Sequence, residues 1–576
     1  MTTIRLVLTA TVLTLTLAAC GKDQEETAAA GQENALLAFV PSDTPYVVAD
    51  LEPVPDAVLD AYLSRMQPVL DELQLQLVET RDRLQSGETA GANDDDPAAR
   101  VALALMNELD GKLNRAGLES LGIDLGSNKV FYGMGAFPVA RIGLSDPAML
   151  RATIQRVLDN AGITAPEKQY QGVSYWSVSK EDLDGASVSI YAAILDDHLA
   201  FAILPTTAEA ELLPAFLGIT RPGHSDIAAR LAELNREHGY TPYGSGILDL
   251  HRLADQFLDP KSTLAQAVAK SGHNELETLT PQCVEEIHGI IDNAPRLTVG
   301  TKELDANKVA IQYRVETLSS LASELQALVS RVPAVDPDSN QAVELSLGVK
   351  LGAVRDFLRQ KTAAIVAEPY QCEALQHLND WAMQASERLD QPVPPFVNNF
   401  LGVRASLDSL DFDFSSIPAQ VRGLLALHVD KPEMFVGMAQ MFLPDLSGLN
   451  LARGEPPVRI PESVVSIQGI VAYAAMSSDA IGLSVGEGEQ DRLEAFLDRK
   501  PGPEGVFLSA TYDAAAYAAY SRKMTVQAMG DDSDGDAVRK LAETTQDAVA
   551  AMADRNKLTM SFAPDGFVAD TEMTFK

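Results

Sequence analysis

Ser187-Val188-Ser189-Ile190-Tyr191-Ala192-Ala193-Ile194-Leu195, then Asp196-Asp197-His198, then Leu199-Ala200-Phe201-Ala202-Ile203-Leu204: two apolar runs around a turn-rich break read as a β-hairpin. The pattern returns as Val464 to Met476 followed by Ala480 to Val485. Each hairpin leads into a helical stretch (208–217 and 488–497), then a glycine-led strand (Gly246-Ile247-Leu248 and Gly505-Val506-Phe507-Leu508), then another helix. Each series closes on a further hairpin, 296–302 with 308–315 and 557–562 with 567–575.

Working outward, five local matches recur in the same order with a spacing that shortens along the chain, the signature of an internal repeat. Leu118-Glu119-Ser120-Leu121-Gly122-Ile123-Asp124 resembles Leu407-Asp408-Ser409-Leu410-Asp411-Phe412-Asp413, and Asp146-Pro147-Ala148-Met149 resembles Lys431-Pro432-Glu433-Met434, with proline at a helix start. Leu199 to Ile203 then pairs with Ile481 to Val485, Leu213 to Leu217 with Leu493 to Leu497, and Leu297 to Val299 with Leu558 to Met560. The expected organisation is a tandem duplication, one copy over 35–315 and the other over 316–576. Each copy is an α+β unit, an antiparallel sheet with helices on one face and helical arms between the sheet-forming parts. Leu59, Leu63, Met66, Leu70, Leu73 and Leu77 form an apolar stripe in such an arm, with Pro68 as a kink. Leu318, Leu321, Leu325, Leu328 and Val332 repeat that stripe in the second copy, and residues 84–98, with Asn93-Asp94-Asp95-Asp96-Pro97, read as an exposed acidic loop.

Of the 576 residues, 46% are hydrophobic and 22% charged, which suits a folded chain. The formal charge of −36 repels phosphate backbones and anionic headgroups, and no Lys/Arg-rich run offsets it, which argues against nucleic-acid binding. Residues 1–19 carry Arg5 ahead of an apolar run from Leu6 to Leu17, the layout of a signal peptide. The run ends Leu17-Ala18-Ala19-Cys20-Gly21, which resembles the lipobox of bacterial lipoproteins. That resemblance implies that Cys20 receives a diacylglycerol on its thiol and a further acyl chain, such as palmitate, on its new amino group. Two or three chains hold a protein at a membrane where one does not. Gly21, in place of an aspartate retention signal, implies the outer membrane, facing the periplasm. Residues 20–34 then form a lipidated cysteine and flexible tether. The opening Phe39-Val40-Pro41-Ser42-Asp43-Thr44-Pro45-Tyr46-Val47-Val48-Ala49-Asp50-Leu51 is similar to openings in exported bacterial proteins without an assigned activity.

Two cysteines remain, Cys283 and Cys372, and an exported chain points to a disulfide between them, worth roughly 4–5 kcal/mol in the chain-entropy picture. Each precedes a histidine by five residues (His288 and His377), but positions i and i+5 of a helix diverge too far to chelate zinc readily. Catalytic signatures are missing: no GxSxG, HExxH, CxxC or GxxxxGK[ST] occurs. Gly223-His224-Ser225-Asp226-Ile227 lacks the second glycine of a nucleophile elbow and reads as a turn with serine as an N-cap. Ser177-Val178-Ser179-Lys180 matches SxxK in letters but lies in a strand-like stretch.

Asp532, Asp534, Asp536 and Glu543 occupy EF-hand spacings for calcium, although Ala537 stands where the loop needs glycine; an acidic loop ending at a helix start near Asp536 fits better. Met434, Met438 and Met441 share a helical face read as core packing, Tyr512, Tyr517 and Tyr520 sit among alanines on one helix, and His428 reads as a core or edge-strand residue. No catalytic residue and no cofactor emerges. The function expected is a non-enzymatic binding or scaffold role at the bacterial envelope, with a protein or envelope component as partner. The alternatives are a carrier of an apolar ligand in a groove between the repeats and an envelope hydrolase with an unrecognised site.

Overall fold

The computed structural model describes residues 34–86, 97–163, 167–181, 187–223, 225–270, 279–408, 422–442, 444–464, 471–529 and 536–576. The signal segment, Cys20, most of the tether and most of the acidic loop lie outside these residues, as do Asp532 and Asp534. The fold is mixed α+β and its strands pair antiparallel. The chain divides into two units: Met1–Leu279 with Pro295–Gln312 and Asp531–Ala548, and Thr280–Ala294 with Tyr313–Gly530 and Val549–Lys576. The units are therefore not two contiguous halves. The helix Pro281–Ile291 belongs to the second unit, where Cys283 lies beside Cys372 with Cα atoms 4.5 Å apart. The Glu286 carboxylate accepts from the backbone N–H groups of Gln371 and Cys372 at the same junction.

The first unit contains β1 (Tyr46–Ala49), β2 (Lys129–Met134), β3 (Phe137–Gly143), β4 (Lys168–Tyr170), β5 (Val173–Glu181), β6 (Ser187–Ile194), β7 (His198–Pro205), β8 (Ser245–Asp249) and β9 (Arg296–Asp305). Its strands pair in the order β5-β6-β7-β3-β2-β1-β8-β9, and β4 forms a short hairpin with β5. Gln171 and Gly172 both adopt positive φ in that two-residue turn, a geometry matched to the right-handed twist of the flanking strands. β10 (Lys308–Glu316) follows β9 across a turn closed by Asn307 N–H donating to Asp305 Oδ1.

The second unit contains β11 (Val343–Gly348), β12 (Phe400–Leu407), β13 (Gly423–Val429), β14 (Val458–Arg459), β15 (Ala472–Met476), β16 (Ala480–Val485), β17 (Val506–Asp513), β18 (Ala553–Ala563) and β19 (Gly566–Phe575). Their order is β14-β15-β16-β13-β12-β11-β17-β18-β19, which follows the first order strand for strand once β10, paired with β9, is set against β19. Four of the five sequence matches fall at corresponding positions. The first does not, because Leu118 to Asp124 precedes β2 whereas Leu407 ends β12.

The stripe at Leu318 to Val332 is also placed differently from its expected counterpart. The helix there stops at Ala327, before β11, because the chain turns extended to pair Val329 with Val349 and Ser330 N–H with the Gly348 carbonyl. The segments that follow β11, as Asp56–Ser86 follows β1, are the helices Leu351–Ala367 and Gln376–Leu389. The helix Asp56–Ser86 runs on through Pro68, and Tyr512 ends strand β17 instead of sharing a helix with Tyr517 and Tyr520.

One face of the first sheet is sealed by helices. Tyr132, Val139, Tyr191, Ala202 and Leu204 meet Leu213 and Phe216 of helix Glu209–Phe216 and Ile227, Leu231 and Leu234 of helix Ile227–His238 in a single core. A cation is buried there. Arg141 donates to Tyr132 Oη (3.1 Å) and to the Phe216 carbonyl (2.7 Å), and its third contact is His198 Nε2 at 2.8 Å. A helix end leaves carbonyls without intrahelical partners, and a guanidinium there satisfies one and complements the dipole. The second unit does the same: Arg404 donates to the carbonyl of Phe496 (2.8 Å) in helix Gln490–Leu497, with its guanidinium over the Phe496 ring.

Candidate functional site

The residues singled out for chemistry do not assemble. Ser225 precedes Asp226, which holds the N-cap position of helix Ile227–His238, and the Ser225 hydroxyl donates instead to the Leu37 carbonyl. The serine thus fastens the short helical turn Ala35–Phe39 and is not the cap. Ser177 lies in β5 and accepts from Lys168 across the β4–β5 hairpin. His428 sits in β13 between β12 and β16, fully buried, with Nδ1 3.5 Å from Asp479. Asp536 begins the helix Asp536–Met552 that contains Glu543, and no group of three or more metal-ligating side chains occurs among the described residues.

The densest polar cluster is closed. Glu344 accepts from Ser406 Oγ (3.1 Å) and from Asp336 N–H (2.9 Å) and pairs with Arg499 (3.4 Å), while Ser346 donates to the Pro333 carbonyl. Ser406, Glu344 and Ser346 are buried, so the cluster fastens the segment 333–336 across β11 and cannot meet a substrate. The depression beside it, about 480 Å³, is wide open and lined by Ala334, Asp336, Arg499 and the prolines Pro337, Pro501 and Pro503.

The other face of the first sheet is different in kind. Register places Trp176, Ala192, Phe201, Ala140, Phe131, Val48, Gly246 and Val299 in one row across eight strands. The adjacent row holds Val178, Ile190 and Ile203, and Tyr46, Leu248 and Leu297 stand at its far side. Val178, at 69% exposure, Ile190, Phe201, Ile203 and Val48 are open to solvent. No side chain in these rows is ionisable below the tyrosine range, and burial pushes the Tyr46 phenol up to about 12. The charge at the border, Lys129, turns to the Ser127 carbonyl (3.0 Å) and Asp50 (3.9 Å). The backbone polar groups are spent on strand pairing, so the surface between its edges offers hydrocarbon; at the Trp176 end the Arg151 guanidinium lies 5.6 Å over the indole ring and donates to the Ile194 carbonyl. Exposed apolar surface of this extent marks a place where something binds.

Sequence reading placed these strands without finding the face. The signal was present: an antiparallel sheet with one wet face alternates polar and apolar residues, whereas β7, His-Leu-Ala-Phe-Ala-Ile-Leu-Pro, is apolar at both parities. The second sheet has related rows, Leu483-Leu425-Ala405-Leu345-Ala510-Leu558 and Ile481-Leu427-Val403-Leu347-Leu508-Met560, mostly half-buried.

The chain matches no protein-family model, no curated protein and no solved structure.

Proposed function

We propose that this chain is a bacterial envelope lipoprotein, held at the outer membrane through lipid on Cys20 and facing the periplasm, that binds an apolar ligand without catalysing a reaction. The ligand class is an acyl chain or a molecule built from such chains. The observation that carries this reading is the apolar row from Trp176 to Val299, open on one side of a sheet whose other side is packed under helices. A surface whose polar groups stand at its edge, the Trp176 indole with the Arg151 guanidinium over it and Lys129 at the border, favours hydrocarbon across its middle, since any polar ligand group seated there would lose its water without replacement.

The test is native mass spectrometry of the chain from Gly21 to Lys576, exported so that its cysteines oxidise, followed by solvent extraction and identification of what is released. A retained lipid that is lost in the Phe201→Glu, Ile203→Glu double variant supports the reading. A clean apo mass for the parent sinks the ligand assignment and leaves the scaffold role, with a protein or envelope partner on the same face. The anchor is tested separately by alkyne-palmitate labelling in cells, where a Cys20→Ser variant that still labels and still fractionates with membranes defeats it.

A further inference from the structure

The Arg141 guanidinium is wholly buried, and among the described residues no carboxylate stands against it. Its donors go to Tyr132 Oη, the Phe216 carbonyl and His198 Nε2, and the Phe39 ring lies 4.1 Å from it. A guanidinium only donates, so the 2.8 Å contact requires a bare Nε2 on the histidine. The proton of the neutral ring is thereby placed on Nδ1, which donates to Asp197 Oδ1 at 2.7 Å. His198 is 2% exposed and the Asp197 side chain 72% exposed, so the imidazole links a cation in the core to a carboxylate at the surface.

The same two residues hold backbone. Leu195 N–H donates to the His198 carbonyl at 2.9 Å and Leu144 N–H to the Asp197 carbonyl at 3.0 Å, which closes the β6–β7 turn and ties the chain leaving β3 to it. The second unit repeats both bonds, Ser477 N–H to the Ala480 carbonyl (2.9 Å) and Val429 N–H to the Asp479 carbonyl (2.8 Å). It does not repeat the contact between cation and imidazole. His428 Nε2 has no hydrogen-bond partner among the described residues, and Arg404 donates to the Phe496 carbonyl instead.

We infer that Arg141 and His198 form an acid-sensitive latch in the first unit: a proton on His198 Nε2 turns the acceptor of the guanidinium into a second cation, and the imidazole leaves, opening the tip of the β6–β7 hairpin. The imidazole moves and the guanidinium stays, because Tyr132, the Phe216 carbonyl and Phe39 keep Arg141 in the core while His198 adjoins the exposed Asp197. The remaining charged groups that face the ring are Asp196 and Asp197 of the turn; Arg221 stands behind Phe39, stacked on it at 4.5 Å. Burial and the Arg141 charge hold the imidazole below its ordinary range, against the pull of Asp197 and Asp196. The strands joined at this tip carry Ile190, Phe201 and Ile203, so acid loosens the open apolar face from its turn end. The latch itself does not depend on what that face binds.

The experiment is hydrogen exchange of the oxidised chain Gly21–Lys576 at pH 7 and pH 5, resolved to single amides and corrected for intrinsic exchange. Opening at Leu144 and Leu195 is expected to rise at least tenfold on acidification, against a ceiling of about 25-fold set by an ordinary imidazole pKa of about 6.5, while Val429 and Ser477 hold their protection. His198→Gln offers Oε1 to Arg141 and an amide hydrogen to Asp197 with nothing to protonate, and is expected to keep the protection of all four amides at both pH values. Unchanged protection at Leu144 and Leu195 in the parent, a loss shared equally by Val429 and Ser477, or a loss that persists in a folded His198→Gln overturns the latch. Circular dichroism and Trp176 emission establish that the variant is folded; if it is not, the contrast between the two pairs of amides in the parent decides alone.

Discussion

Asp50 is a buried carboxyl at the end of β1, and replacing it separates the cost of its charge from the value of its hydrogen bond. Its Oδ1 accepts from Gly244 N–H at 3.0 Å, its Oδ2 has no hydrogen-bond partner, and Lys129 stands 3.9 Å away. Burial pushes the carboxyl up to about 6 from an ordinary 3.8, against the opposing pull of Lys129 and Gly244. The folded state therefore holds this proton more tightly than the unfolded one. The stabilisation is complete below about pH 4, is lost as pH rises through about 6, and amounts to roughly 3 kcal/mol at about 1.4 kcal/mol per unit. Asp50→Asn removes that slope. It also weakens the bond to Gly244 and strips Lys129 of its partner, costing about 1–2 kcal/mol. The variant is thus expected to be more stable than the parent at pH 8 by about 1–2 kcal/mol and less stable at pH 4. Urea unfolding at both pH values, read from Trp176 in a Trp381→Phe background, follows the first unit alone, since these are the only two tryptophans. Other titrations cancel in the parent-minus-variant difference. A variant less stable than the parent at pH 8, or a difference that does not change sign with pH, refutes the reasoning.

The two buried arginines differ in how much they hold. Arg141→Met abandons Tyr132, His198 and the Phe216 carbonyl and is expected to cost about 3–5 kcal/mol, whereas Arg404→Met abandons the Phe496 carbonyl and is expected to cost about 1–3 kcal/mol. Unfolding read from Trp176 for the first and Trp381 for the second checks this, and a reversed order contradicts it. Replacing Cys283 and Cys372 by serine, a pair 89 positions apart, is expected to cost the second unit about 4–5 kcal/mol. A Trp381 unfolding midpoint that is unmoved by reductant counts against the bridge.

Local pattern carried a good deal of this fold. The hairpin at Ser187 to Leu204 lies within a residue of its expected ends because the turn-forming break at Asp196-Asp197 between two apolar runs fixes where each strand stops. Asp146 caps the helix at Pro147 by accepting from Met149 N–H at 2.9 Å, which follows from residue type alone. Leucine spacing was a poorer guide: a repeat of three and four residues marks an amphipathic helix but does not say which one, so the stripes at Leu59 and Leu318 were equated although they flank β1 and β11 on opposite sides. For the same reason Met434, Met438 and Met441 read as core. Spacing places them on one side of a helix, and only tertiary structure shows that Met441 is left exposed among the described residues.

The buried arginines escaped self-comparison for a reason visible in the registers. Arg141 of β3 stands opposite Val130 of β2, while in the second unit Arg404 of β12 stands opposite Ala426 of β13. The strand orders equate β3 with β13 and β2 with β12, so the guanidinium has crossed from one strand to its neighbour. It still reaches the carbonyl of the corresponding phenylalanine, Phe216 or Phe496. The histidines cross in the same way: His198 of β7 faces Gly143, His428 of β13 faces Ala480, and each lies beside the aspartate that directly precedes β7 or β16, Asp197 or Asp479. Directly opposed residues on one face of a sheet have Cβ atoms only about 5 Å apart, so a long side chain from either strand serves the same point above the sheet. What recurs between the units is thus a requirement in space, a cation at a helix C-terminus and an imidazole beside a turn aspartate. A comparison by position along the chain scores both as mismatches.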